Sequence, residues 1–357
     1  MLIRLTASLT LVAALATAAF AQATPREALL ILSKHDHTLT IVDPATLRPL
    51  ARIPIGDDPH EVIASADGRT AYVSNYGGNG AGALHTLAVV DLVAQKALPS
   101  IELGALRGPH GLDFAGGRVW FTAEAAKALG SYDPASGKID LILGTGQNRT
   151  HMILVTPDVS RIYTTNVSSG NVSIFEKVAP RAPSGPPPGA PPAAAGAPAG
   201  PPPGPPAPEW NQSLVSVGPG DEGFDVTPDG RELWTANAQD GTISVVNIAE
   251  KKVTQTLAAN VRGANRLKFT PDGKLAFVSM LGGSDAVVFD VASRQEVKRI
   301  AVGHGAAGIL MQPDGSRVFV ACTPDNYVAV IDLKAMQVVG HIDAGGNPDG
   351  LAWASRR

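Results

Sequence analysis

The sequence predicts an all-β chain folded as a seven-bladed β-propeller of four-stranded antiparallel blades, and three observations carry that expectation. One repeat recurs along the chain, hairpin turns break each copy into short apolar runs, and one copy is divided between the two ends. A period of roughly 40–45 residues with four strands per unit is what a propeller blade requires.

The repeat is plainest in three copies: GDEGFDVTPDGRELWTANAQDGTISVVNI from Gly220, GANRLKFTPDGKLAFVSMLGGSDAVVFDV from Gly263 and GAAGILMQPDGSRVFVACTPDNYVAVIDL from Gly305. Asp229, Asp272 and Asp314 mark the same turn, 43 and 42 residues apart. Earlier copies start at Asp58, Gly108 and Asn148. The runs between Asp-Gly, Pro-Asp and Gly-Gly turns alternate or cluster apolar residues as half-buried or sandwiched strands do. An Asp-Gly pair supplies the positive φ that a tight hairpin demands.

The seventh copy is split. NPDGLAWASRR at the C-terminus reads as its first strand, and EALLILSKHDHTLTIVDPATLRPLARIPIG near the N-terminus as its second, third and fourth. Pairing the two ends in one blade closes the ring and removes the exposed edges of an open sheet.

Composition narrows the function classes. Lys plus Arg number 29 against 32 Asp plus Glu, a formal charge of −3 without any long single-sign run. That argues against nucleic acid as a partner and against a polybasic membrane surface. The opening residues 1–21, cationic at Arg4, apolar from Leu5 and ending Ala19-Phe20-Ala21, read as a cleaved secretory signal peptide. The mature propeller is then expected over 22–357, in the periplasm or secreted, with no stable membrane insertion after cleavage. The single cysteine, Cys322, lies in the apolar run RVFVAC and reads as a buried thiol. No C-x-x-C-H haem-attachment motif is present.

Residues 178–209 form a Pro/Gly/Ala-rich insertion within the third complete copy and hold 14 of the 29 prolines. Proline lacks the N–H of a sheet ladder and the stretch has little to bury, so a disordered or polyproline loop is expected. Removing it restores the period between Asp158 and Asp229.

The copies carrying YVSN, YTTN or WTAN after the turn resemble the YVTN-repeat family of β-propellers, over nearly the whole mature chain. The resemblance implies the seven-bladed fold and leaves the activity open, since that family holds surface, binding and enzymatic proteins. One copy, GPHGLDFAGGRVWFTAEAAKALGSYDPASGKI, also resembles a blade of the streptogramin lyases.

Candidate chemistry follows from blade geometry. With strands a to d running from axis to rim, the d-to-a and b-to-c loops emerge on one face. The Pro-Asp-Gly turns and the insertion belong to the other. The position seven residues before the turn Asp reads His60, His110, His151, Glu222, Asn265, Ala307 and Asp349. These side chains are expected to ring the mouth of the central channel. His35, Asp36, His37, His85 and His304 fall on the same face. His60, His110, His151 and Glu222, with His35 and His37 as further donors, are the expected metal ligands, because imidazoles with carboxylates suit divalent transition metals and also move protons. Asn265, Asp349, Arg149 and Arg266 are expected to bind a ligand, the arginines an anionic group. The sequence thus points to an exported propeller binding or scaffolding a small ligand, a divalent metal ion or a protein at this mouth. A metal-dependent lyase or lactone hydrolase on the same residues is the alternative, and no nucleophile motif such as G-x-S-x-G appears.

Overall fold

A computed structural model describes residues 22–179 and 209–356. The signal-peptide expectation and nearly all of the insertion fall outside those residues. The described chain forms seven four-stranded antiparallel sheets arranged as a propeller, with no helix among the described residues.

Blade 1 joins the two ends: β1 (Glu27–Ser33), β2 (Thr38–Asp43) and β3 (Arg48–Pro54) follow β28 (Pro348–Ser355), with Leu29 opposite Trp353 in the closing ladder. Blade 2 is β4 (Pro59–Ala64), β5 (Thr70–Asn75), β6 (Thr86–Asp91) and β7 (Lys96–Glu102). Blade 3 is β8 (Pro109–Ala115), β9 (Arg118–Ala123), β10 (Ala128–Asp133) and β11 (Lys138–Gly144). Blade 4 is β12 (Thr150–Val155), β13 (Arg161–Asn166), β14 (Asn171–Val178) and β15 (Glu209–Ser216). Blade 5 is β16 (Asp221–Val226), β17 (Glu232–Asn237), β18 (Thr242–Asn247) and β19 (Lys252–Leu257). Blade 6 is β20 (Ala264–Phe269), β21 (Leu275–Met280), β22 (Asp285–Asp290) and β23 (Gln295–Ala301). Blade 7 is β24 (Ala306–Met311), β25 (Arg317–Cys322), β26 (Tyr327–Asp332) and β27 (Gln337–Asp343).

Burial explains the strand compositions. The second and third strands of each blade are covered on both faces by neighbouring blades, so β5 and β6 are near-continuous apolar runs. Rim strands meet solvent on one side, and β11 alternates exposed and half-buried residues. The core therefore lies between blades: Leu30, Leu32, Leu39 and Ile41 of blade 1 pack on Val62, Val73 and Val90 of blade 2. Cys322 is buried in one such layer, where burial pushes its thiol up to about 12. The β14–β15 ladder continues to Val178 opposite Glu209, one pair into each end of the 178–209 range read from composition. Ladder pairing overrides composition at both ends of that range.

Candidate metal and ligand site at the channel mouth

Three local features build the mouth. Two residues before each ring position the backbone is left-handed in every blade: Asp58, Gly108, Arg149, Gly220, Gly263, Gly305 and Asn347, with φ between 43° and 78°. In six of the seven blades the carbonyl there accepts the N–H of the first residue after the second strand, as Asp58 does from Tyr76 and Gly108 from Glu124. The first strand then shifts register across the ring position itself, between Pro59 and Val62, Pro109 and Leu112, and Thr150 and Ile153. A bulge adds a residue and re-aims its side chain, here toward the axis end.

The result is a packed imidazole stack. The His60 and His110 ring centroids are 5.0 Å apart, those of His110 and His151 3.8 Å, and the Tyr76 ring meets His60 and His110 edge-on. Glu124 lies beneath, fully buried: its Oε1 is 2.5 Å from His151 Nδ1, and its Oε2 accepts the Tyr76 hydroxyl at 2.5 Å. The hydrogen bond between Glu124 Oε1 and His151 Nδ1 orients both side chains, and an ion held by both would take the place of its proton. His110 Nδ1 is buried without a partner. One ligand atom from each of His110, Glu124 and His151 lies within 4.8 Å of the other two. A tetrahedral ion with ligands at its usual bond lengths holds them about 3.4 Å apart. Small side-chain rotations close that difference, so this buried group could hold a metal.

Charged groups crowd the mouth. Burial, reinforced by His151, His60, Arg266 and Arg149, drives the His110 pKa well below the ordinary imidazole value and keeps that ring neutral. Burial alone would raise Glu222, but His151, Arg149 and Arg266 override it and hold the carboxyl below its usual range. The hydrogen bond to His60 is the largest cause that brings Asp58 down to about 2. Asp58 and Asp349 meet His60 and Lys34, while Glu124, Glu222 and Glu61 are linked through Arg149, Asn265 and Arg266.

The predicted residues are distributed as follows. His60, His110 and His151 sit together. Glu222 is beside them, bound by Arg149 at 3.0 Å and by the Asn265 amide at 2.9 Å. Asp349 flanks His60 at 3.7 Å and Lys34 at 3.4 Å. Lys34 Nζ is also 2.7 Å from His60 Nε2, which Asp58 approaches to 3.2 Å. A lysine ammonium only donates, so Nε2 accepts from it as a neutral ring or donates to Asp58, and cannot do both at once. Arg266 is engaged elsewhere: it is buried and ion-paired across the axis with Glu61 of blade 2. His35 and His37 stay outside the stack, exposed and paired with Asp36 at 2.9 Å and Asp57 at 3.2 Å. His304, equally exposed, pairs with Asp325.

Glu124, Tyr76, Lys34 and Glu61 were not among the expected site residues. The first three occupy one repeat position, the residue following the second strand, which runs Lys34, Tyr76, Glu124, Val167, Ala238, Leu281 and Thr323. Aligning that column as the ring column was aligned would have exposed them.

Volume does not mark this site. A hollow of about 700 Å³ lies on the opposite face between blades 7 and 1, lined by turn residues such as Pro44, Pro313 and Asp314 and holding no histidine. An axial cavity of about 390 Å³ ends at the Glu61–Arg266 pair. The mouth is distinguished by buried, converging donors rather than by space.

No family model matches the chain, and no curated protein matches it. Among solved structures, a proposed 6-phosphogluconolactonase of Bacteroides fragilis is 17% identical, with 92% of this chain and 98% of that chain covered and a TM-score of 0.69. A functionally unknown protein of Desulfotomaculum acetoxidans is 15% identical over 90% and 98%, TM-score 0.68. Dihydro-heme d1 dehydrogenase NirN is 16% identical over 92% and 75%, TM-score 0.61. At such identities the likeness shows the seven-bladed propeller fold and nothing finer.

Proposed function

We propose that this protein is an exported propeller that binds a divalent transition-metal ion at the mouth of its channel through His110, His151 and Glu124. The observation that carries the reading is the unpartnered, buried Nδ1 of His110 beside the buried pair of His151 and Glu124. Buried polar atoms without partners are rare, and a buried imidazole grouped with a carboxylate and a second imidazole is metal-ligand chemistry. Export rests on the signal-like first 21 residues.

After chelation and dialysis, calorimetric titration of the mature protein with zinc is expected to show a single ion bound per chain. His110→Ala and Glu124→Gln should weaken it about tenfold or more. His35→Ala and His304→Ala should not. Absence of stoichiometric binding, or equal losses in the exposed-histidine variants, would overturn the assignment.

The chain of hydrogen bonds from Tyr76 through Glu124 to His151 favours a second reading, a metal-assisted lyase or lactone hydrolase in which these groups carry a proton while the ion polarises a carbonyl. Turnover of a lactone panel by the zinc-loaded protein, abolished in Tyr76→Phe with zinc still bound, would distinguish catalysis from binding.

A further inference from the structure

We infer that the axial cavity beneath the mouth is a second ligand site, one that takes an uncharged, mainly apolar small molecule. It stands apart from the metal reading, since none of His110, Glu124 and His151 belongs to its wall. The innermost strands of four blades put Ile63, Met152, Leu154, Leu310 and Leu351 on the wall of this cavity of about 390 Å³. Each of the five is only partly buried, although it lies at the axis of the molecule. Apolar surface left uncovered there is surface that an apolar ligand would remove from water, with a gain in free energy. Water is a poor occupant of such a space, because it needs about two to four polar partners. An apolar cavity of roughly 150 Å³ already takes benzene, so this one has room for a larger molecule. Mainly apolar walls with a few polar groups are the usual make-up of small-molecule sites.

The charged groups of the wall set the ligand class. Glu61 and Arg266 pair with each other, and Arg266 also donates to the Asn265 carbonyl at 3.2 Å. Asp113 accepts the N–H groups of Phe114 and Val155 at 2.7 and 2.6 Å. Lys268 lies 3.7 Å from Asp225. Every charge on the wall is thus met from within the protein, and a charged ligand would give up its hydration without gaining a free partner. An uncharged molecule avoids that cost. The way in lies on the face opposite the metal group: Pro313 and Trp353 belong both to this cavity and to the 700 Å³ hollow between blades 7 and 1, while the Glu61–Arg266 pair stands at the mouth end.

N-phenylnaphthylamine, an uncharged dye that fluoresces in apolar surroundings, is the probe, added to the mature protein in the presence of a chelator. A saturable rise in fluorescence with a single dye bound per chain is expected. Leu154→Trp fills the space from blade 4, and Leu351→Asn makes the wall polar from blade 1; each should raise the dye's dissociation constant about tenfold or more. Val339→Ser on the rim strand β27, where the side chain is 54% exposed, should leave it unchanged. The anionic dye anilinonaphthalenesulfonate should bind about tenfold more weakly than the uncharged one. Circular dichroism establishes which variants are folded, and either folded cavity variant suffices for the comparison. No saturable signal in wild type, equal dye binding in wild type and a folded cavity variant, an equal loss in Val339→Ser, or equal affinity for the anionic dye overturns the inference, and the metal site stands or falls separately by its own titration.

Discussion

Gly308→Ala is expected to destabilise the propeller by about 3 kcal/mol or more, the upper range for overpacking a close-packed interior. Gly308 follows the ring position of blade 7, and a Cβ there would stand 2.0 Å from the backbone oxygen of Asp349 in blade 1. Gly111, Gly223 and Gly350 meet the next innermost strand in the same way, at 2.5, 2.4 and 2.4 Å. The obstacle is backbone, so no rotamer change relieves it. The ring is closed, so a blade pushed outward at one joint must strain the others. The control is Gly144→Ala at the end of rim strand β11, where a Cβ meets nothing within 4 Å; its effect should stay within about 0.5 kcal/mol. Denaturant midpoints of the two variants check the contrast, and equal midpoints would show that the innermost strands have more room than these distances allow.

Asp221→Asn is expected to stabilise the protein at pH 8 by on the order of 2 kcal/mol and to have little effect near pH 4. Asp221 immediately precedes the ring residue Glu222, at a position where blades 6 and 7 carry Ala264 and Ala306. It is fully buried, accepts the Asn166 N–H through Oδ2, and leaves Oδ1 without a partner. Burial is the main cause that pushes its carboxyl up to about 7. In the unfolded chain the group titrates near its ordinary 3.8. Between those values the folded state holds a proton that the unfolded state has released, so stability falls as pH rises, and above about 7 the whole penalty remains. Asparagine removes the charge and keeps the acceptor, at the cost of an amide with no partner, which trims the gain. Melting temperatures of both proteins from pH 4 to 8 should diverge with increasing pH. Parallel curves would show that Asp221 is ionised in the fold without penalty.

Legibility differed sharply between the two columns of residues that form the mouth. The ring column is readable because the turn gives every copy a fixed origin, so His60, His110 and His151 align and fall together from the sequence alone. The column of Lys34, Tyr76 and Glu124 has an equally fixed place after the second strand, but three of its seven members are apolar, which disguises it as loop filler. Arg266 illustrates the opposite case. Its position beside the ring suggested a cation for an anionic ligand, yet it is paired with Glu61 from a blade three steps away around the ring.

From the sequence alone came the number of blades, the closure of the ring by the two termini, and the face on which the histidines gather. Each of these follows from the repeat period and the alternation of strand residues, which are local and recur in every copy. The tertiary structure decided which donors are buried together, which cations are already paired, and where a backbone leaves no room for a Cβ. Those properties depend on distances between blades remote in sequence, and burial and charge pairing act through distance.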